Sequence, residues 1–269
     1  MSALLVIRNL TLRTGAETLV SDLSFAIEPG ARLGLIGESG SGKSLTSMAA
    51  MGLLPKSISV EGSILLDGQQ VVGTREGTLN KLRGQAAAVV FQEPLTALDP
   101  LMKIGRQVAE PLQRRWSRVG RRLDGRDLNR EVIGLLEEVS LPTPERIAAS
   151  FPHEISGGQR QRVAIAMALA CRPKLLIADE PTTALDVTTQ AEVLKLLDSL
   201  VRESGMALLF ISHDLPVVSE IVENVVVLRK GVAVEAGPVG EVFARPRDAY
   251  TRSLVDAAQQ FDRALEGVR

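Results

Sequence analysis

Eight residues, Gly37-Glu38-Ser39-Gly40-Ser41-Gly42-Lys43-Ser44, constrain this chain more than any other stretch. They fit G-x-x-x-x-G-K-[ST], a glycine-rich loop that wraps a polyphosphate. Residues 31–36 precede the loop as a short buried strand, and residues 43–54 follow it as a helix that Pro55 ends. Strand, turn and helix N-terminus together aim backbone N–H groups and the positive end of a helix dipole at one point. Gly34, Gly37, Gly40 and Gly42 let the backbone turn tightly and come close to a ligand. Lys43 is placed to reach the β- and γ-phosphates, and the Ser44 hydroxyl to ligate Mg²⁺. A glycine turn with no ligand is the plainer reading, disfavoured by the flanking strand and helix. The expectation is a nucleotide-binding chain.

With 269 residues there is length for one large domain or two small ones. The chain is 45% hydrophobic, 23% charged and carries a formal net charge of −1, which excludes a disordered polyelectrolyte or a chain built around nucleic acid. Its one cysteine, Cys171, rules out an internal disulfide framework and reads best as a small buried hydrophobe. The N-terminus lacks the apolar core and cleavage site of a signal peptide. The longest apolar run, residues 163–171, is far too short to span a bilayer. Any work at a membrane therefore needs another chain to do the spanning.

Read in order, residues 4–12 and 19–27 are strands with a turn at residues 14–17, and residues 62–66 form a strand running into Asp67-Gly68. Residues 86–91 are a further buried strand. From 93 to about 172 the periodicity is helical, with helices over 103–116, 126–139, 144–149 and 157–171. Alternation then resumes: strand 174–178, helix 188–203, strand 207–212, helix 215–220, a hairpin closing at Lys230-Gly231, and a helix over 248–264. This pattern predicts an α/β fold: a P-loop NTPase core with a parallel sheet, an antiparallel β subdomain and an inserted helical subdomain. The division expected is one domain over 1–269, with 1–92 and 173–269 as the nucleotide-binding core and 93–172 as the helical insert. Seven arginines between Arg114 and Arg130 read as a solvated face, with anionic lipid or a partner as the alternative. Nucleic acid is disfavoured, because aromatics are 3% of the chain and none interleaves as a stacking platform.

Residues 175–180 are an apolar strand ending in Asp179-Glu180. Two adjacent acids at the end of a buried strand call for a cation or a proton-transfer task. Beside a P-loop, Asp179 fits as the acid that orients Mg²⁺ and Glu180 as the base that polarises the attacking water. Pro181 weakens the alternative of an acidic helix start.

Further motifs then form a familiar set. Ile155-Ser156-Gly157-Gly158-Gln159 resembles the signature motif of ABC-transporter ATPases. Gln92 matches that family's Q-loop, Thr183-Ala184-Leu185-Asp186 its D-loop and His213 its switch histidine, all in the family's order. The resemblance covers essentially the whole chain and implies the ABC ATPase fold, with ATP and Mg²⁺ as cofactors. It implies catalytic roles for Glu180, His213 and Gln92, and Mg²⁺ ligation by Ser44, Gln92 and Asp179. It also implies that Ser156, Gly157, Gly158, Gln159 and Asp186 meet ATP held on the P-loop of an opposing subunit, ATP being glued between the two and hydrolysis releasing them. His153 has no matching role.

Ser44-Leu45-Thr46, the long Q-loop of residues 91–100 and the tail of residues 245–254 are similar to the first ATPase subunit of peptide- and nickel-type importers. That resemblance implies a peripheral subunit on the cytoplasmic face of the inner membrane. Its expected partners are a second homologous ATPase or a copy of itself, two permeases and, indirectly, an extracytoplasmic solute-binding protein. The groove of the Q-loop and helical insert, residues 93–115, is expected to receive the permeases. Three rivals remain: an exporter ATPase, a soluble ABC-type ATPase of repair or translation, and a binding module with a dead site. The family's adenine-stacking aromatic is missing, since Thr14 stands near its place and Arg13 is the candidate substitute. With one cysteine, no iron–sulfur site is expected in a C-terminal extension.

Overall fold

The computed structural model describes residues 2–92, 97–183 and 185–266, the side chains as far as residue 260. Glu93-Pro94-Leu95-Thr96 of the Q-loop stretch and Ala184 of the D-loop stretch lie outside the described residues. Two compact units emerge, one of Met1–Asn80 with Ala207–Arg269 and the other of Lys81–Met206.

In the first unit, β1 (Leu5–Thr14) pairs antiparallel with β2 (Glu17–Ile27) and with β4 (Ile58–Leu66), and the two-residue β5 (Gln69–Gln70) edges β4. On β1 the fully buried residues are Leu5 and Ile7, then Leu10 and Leu12. A strict alternation would break there. The register shift between Ile7 and Leu10, with Asn9 at φ 48, is a bulge that brings the even-numbered pair back to the buried face. Pairing with β1 also explains why β4 begins at Ile58, earlier than its own composition suggests.

β3 (Arg32–Ile36) runs parallel to β8 (Ala207–Ser212) and to β9 (Asn224–Arg229), and all five of its residues are buried. A strand buried at every position, without alternation, is what a sheet covered on both faces requires. β9 turns at Lys230 (φ 47) and Gly231 (φ 80) into antiparallel β10 (Val232–Pro238), the positive-φ pair that a tight hairpin uses. The loop 37–42 then leads into α1 (Lys43–Ala50). This helix ends before the expected residue 54. Gly52 takes φ 62, its N–H bonds to the Ala49 carbonyl and the Leu53 N–H to the Met48 carbonyl, a pair of bonds that closes a helix C-terminus well ahead of Pro55. α8 (Leu215–Ile221), α9 (Val239–Ala244) and α10 (Ala249–Glu266) complete the unit.

α2 (Glu76–Leu82), which bridges the sequence boundary of the units, escapes sequence reading: it contains Gly77 and is short, and it is held by burying Leu79 and Leu82. In the second unit β6 (Ala87–Val90) pairs parallel with β7 (Leu175–Asp179). Around them lie α3 (Ile104–Arg118), α4 (Gly125–Glu138), α5 (Pro144–Ala149), α6 (Gly157–Leu169) and α7 (Val187–Ser204). Ile104, Val108 and Leu112 make one buried stripe on α3 at helical spacing, and α3 packs on α4, α5 and α6. Much of the arginine cluster does structural work. Arg115 and Arg121 lie over the Trp116 ring, their guanidinium carbons 5.1 and 4.7 Å from its centroid, and Arg118 donates to the Arg83 carbonyl at 3.0 Å. Among the described residues no helix is long and apolar enough to cross a membrane.

Candidate nucleotide site

The phosphate loop is held by the elements around it. A side chain at Gly37, whose φ is +148, would run into the Leu228 backbone carbonyl of β9. The Gly231 N–H of the β9–β10 turn donates to the Ser41 carbonyl at 3.1 Å, so the hairpin clasps the loop from one side. Lys43 is 3% exposed, and its ammonium donates to the Gly37 and Glu38 carbonyls at 2.8 Å each. An ammonium buried in this way needs such acceptors. It is thus parked on the loop it would leave for a phosphate. Gly42, in the left-handed region, leads directly into α1, whose first turn carries no acidic residue to oppose an anion.

Also in this unit, β8 ends at Ser212 and His213 follows it, exposed, just before α8. The Ser212 hydroxyl accepts from the Asp214 N–H at 3.0 Å, and the Asp214 carboxylate caps α8 by accepting from the Val217 N–H at 3.3 Å. The backbone on either side of His213 is therefore pinned. Arg13, the candidate base-stacking residue, forms an ion pair with Glu61 at 2.7 Å across β1 and β4. An exposed pair of this kind is worth at most about 1 kcal/mol. With no aromatic stack, worth about 1–3 kcal/mol per base, binding is expected to discriminate weakly between ATP and GTP. Competition of each nucleotide against a fluorescent analogue measures this, and a strong ATP preference counts against it.

In the second unit the strand β7 is buried along its whole length and delivers Asp179, 5% exposed, at its end. Glu180 follows in a left-handed conformation, φ 48, which costs a non-glycine residue of order 1–3 kcal/mol. Its carboxylate is fixed by two donors. The Gln92 side-chain amide donates to Glu180 Oε2 at 3.1 Å, and the Thr183 hydroxyl to the same oxygen at 3.0 Å. Gln92 thus spends its NH₂ end on Glu180, which leaves its carbonyl oxygen as the end able to ligate a cation. Thr183 is a contributor that sequence reasoning missed, as it carried no signal beyond its place in the D-loop motif. Within this unit the Gln92 carbonyl and the Asp179 carboxylate are hard oxygen donors of the kind Mg²⁺ takes.

Ser156 caps α6. Its hydroxyl accepts from the Gln159 N–H at 3.2 Å, while the Gln159 side chain accepts from the Ser156 N–H at 3.0 Å. Arg160 donates to the Pro152 and Ile155 carbonyls and ties the preceding turn to the same helix start. Gly158 has a packing reason of its own, since a Cβ there would collide with the Thr189 methyl group of α7. Gly157 is roomier. Asp186 caps α7, and the Thr189 N–H it accepts at 3.1 Å is the main cause that lowers its carboxyl below the ordinary range. His153 stacks on Phe151, with ring centroids 5.7 Å apart. Burial pushes the Cys171 thiol up in spite of Arg118, Arg115 and Arg114 nearby, as fits an inert packing residue.

Known proteins resemble the chain over most of its length. The family model described as "ABC transporter" matches residues 20–183. The chain is 44% identical over 266 residues to the oligopeptide transport ATP-binding protein OppD of Haemophilus influenzae, covering 97% of this chain and 81% of the relative. To the protein of the same name in Escherichia coli it is 43% identical over 248 residues, 92% of this chain and 72% of the relative. Among solved structures, the ATP-binding cassette MJ0796, a dimer in a post-hydrolysis state bound to ADP and Pi, superposes with a TM-score of 0.77 at 29% identity over 87% of this chain and 98% of that one. Fold, ordered motifs and relatives agree, and the chain belongs to the ABC-transporter family as one of its ATP-hydrolysing cassettes.

Proposed function

We propose that the chain energises a bacterial importer of peptides, nickel or a related small solute. The observation that carries this reading is the 44% identity over nearly the whole chain to an oligopeptide transport ATP-binding protein. In this reading the amides of residues 37–44 take the phosphates and Lys43 exchanges its two carbonyls for the β- and γ-oxygens. Ser44, Gln92 and Asp179 would hold Mg²⁺, which would neutralise charge developing on the phosphoryl oxygens. Glu180 accepts the proton of the attacking water, Gln92 and Thr183 keep its carboxylate oriented, and His213 faces the γ-phosphate. Ser156, Gly157, Gly158, Gln159 and Asp186 contact ATP on the opposing subunit, so that binding closes a pair of cassettes and hydrolysis opens it.

The chain lies on the cytoplasmic face of the inner membrane, beside a second homologous ATPase or a copy of itself, on two permeases served by a solute-binding protein. A cleft of about 290 Å³ in the second unit, lined by Phe91, Gln107, Glu110, Pro111, Arg114 and Met167 among others, is the seat for a permease segment. Its apolar walls, with one acidic and one basic side chain among them, suit a short amphipathic element. The test is to tag the chain, purify it gently from solubilised membranes and identify its companions by mass. Two permeases and a second ATPase are the expected result. Soluble companions alone would remove the importer reading and leave an ATPase of another kind.

A further inference from the structure

The chain contains a single tyrosine, Tyr250, in the first turn of α10, more than two hundred residues from the phosphate loop in sequence. Its hydroxyl accepts the backbone N–H of Glu38 at 2.8 Å, and the residue is 8% exposed. That N–H belongs to the peptide plane joining Gly37 to Glu38. The oxygen of the same plane, the Gly37 carbonyl, is the one that accepts the Lys43 ammonium at 2.8 Å. One peptide unit is therefore held at both ends, by Lys43 on its oxygen and by Tyr250 on its nitrogen. A plane flanked by glycine turns readily when unheld.

Tyr250 itself is firmly seated. The Arg229 guanidinium lies over its ring, 5.0 Å from the centroid. The Tyr250 N–H donates to the Asp248 carboxylate at 2.8 Å. The start of α10 is fastened to β10 by Glu235, whose carboxylate accepts the Arg247 and Asp248 N–H groups at 2.9 and 3.1 Å. Burial acts to raise the Glu235 carboxyl, yet its hydrogen-bond donors, these two amides among them, and the Arg247 charge hold it below its ordinary value.

We propose that Tyr250 is a positioning residue of the nucleotide site: its hydroxyl keeps the Gly37–Glu38 peptide in place when Lys43 leaves that peptide for the phosphates. The inference rests on the reading of residues 37–44 as the phosphate cradle. In the empty loop two groups share the task, so losing one matters little. With nucleotide bound, Tyr250 carries it alone. Losing the bond therefore costs the nucleotide-bound loop more than the empty one, and the difference appears as lost nucleotide affinity. C-terminal residues otherwise remote from the chemistry thereby set how tightly the loop grips.

The test uses the full-length chain, with a fluorescent ATP analogue and Mg²⁺ as the probe, and three proteins: the parent, Tyr250→Phe and Lys43→Ala. Tyr250→Phe keeps the ring and its Arg229 contact and removes only the hydroxyl. Its dissociation constant and KM are expected to rise about fivefold, the size of one neutral hydrogen bond. Its kcat at saturating ATP is expected to match the parent, and its melting midpoint without nucleotide to fall by only about 2–4 °C, the cost of one hydrogen bond. An unchanged dissociation constant would overturn the proposal, as would a fall in the nucleotide-free melting midpoint that accounts for the whole effect. Lys43→Ala separates the two readings. If it binds as well as the parent, the cradle reading fails and the proposal with it. If it loses binding while Tyr250→Phe does not, only the role of Tyr250 fails.

Discussion

Glu180→Gln is expected to bind ATP as the parent does while its turnover falls by about 10² to 10⁴, the range a positioned general base contributes. The substitution keeps the shape of the side chain, and an amide oxygen still accepts from Gln92 and Thr183, the two donors on Glu180 Oε2. The unusual φ of 48 is no more difficult for glutamine than for glutamate. What disappears is the capacity to take a proton from water. The contrast between binding and turnover is the informative part. Equilibrium binding of a fluorescent ATP analogue and phosphate release under single-turnover conditions measure the two separately. Turnover at the parental rate would remove Glu180 from the mechanism, and lost binding would show that its role is to shape the site.

Gly37→Ala is expected to reduce ATP affinity by about two orders of magnitude, whereas Gly40→Ala costs about tenfold. Both glycines have positive φ, +148 and +79, so both substitutions strain the backbone, by about 1–2 kcal/mol in the milder case. They differ in surroundings. Nothing lies within 4 Å of a Cβ at Gly40. At Gly37 the obstacle is the backbone carbonyl of Leu228, a fully buried residue of β9 that pairs with Ala233 of β10, and the Ser41 hydroxyl lies 2.9 Å away. Strand backbone cannot move aside as a side chain tip can, so the loop must shift. Overpacking and strain together amount to about 2–4 kcal/mol, which corresponds to the larger loss. Affinity titrations of the two variants side by side decide the matter, and equal losses would refute the steric account.

Much of the site is legible in the primary structure because it is built from local patterns. Residues 37–44, the acids at the end of β7 and the Ser156-Gly157-Gly158-Gln159 motif each draw their meaning from neighbours within a few positions, where strand, turn and helix rules operate. The fold class follows in the same way from alternating strand and helix periods. Less legible were the helices α2 and α9, too short for a period to declare itself, and the end of α1, where Gly52 overrides the more conspicuous Pro55. The arginine cluster was legible only as charge. That Arg115 and Arg121 lie over the Trp116 ring depends on packing.

By itself the sequence determined a phosphate loop, a carboxylate pair, a signature helix and their order, since these rest on residue types at fixed short spacings. Tertiary structure alone decided which distant groups hold them. Gln92 meets Glu180 across 88 residues, and Tyr250 meets Glu38 across 212. Such contacts leave no periodic trace, because a hydrogen bond between remote segments depends on how strands and helices are stacked. One hydroxyl in a tail of ordinary composition becomes part of the nucleotide site only once the chain has folded back upon itself.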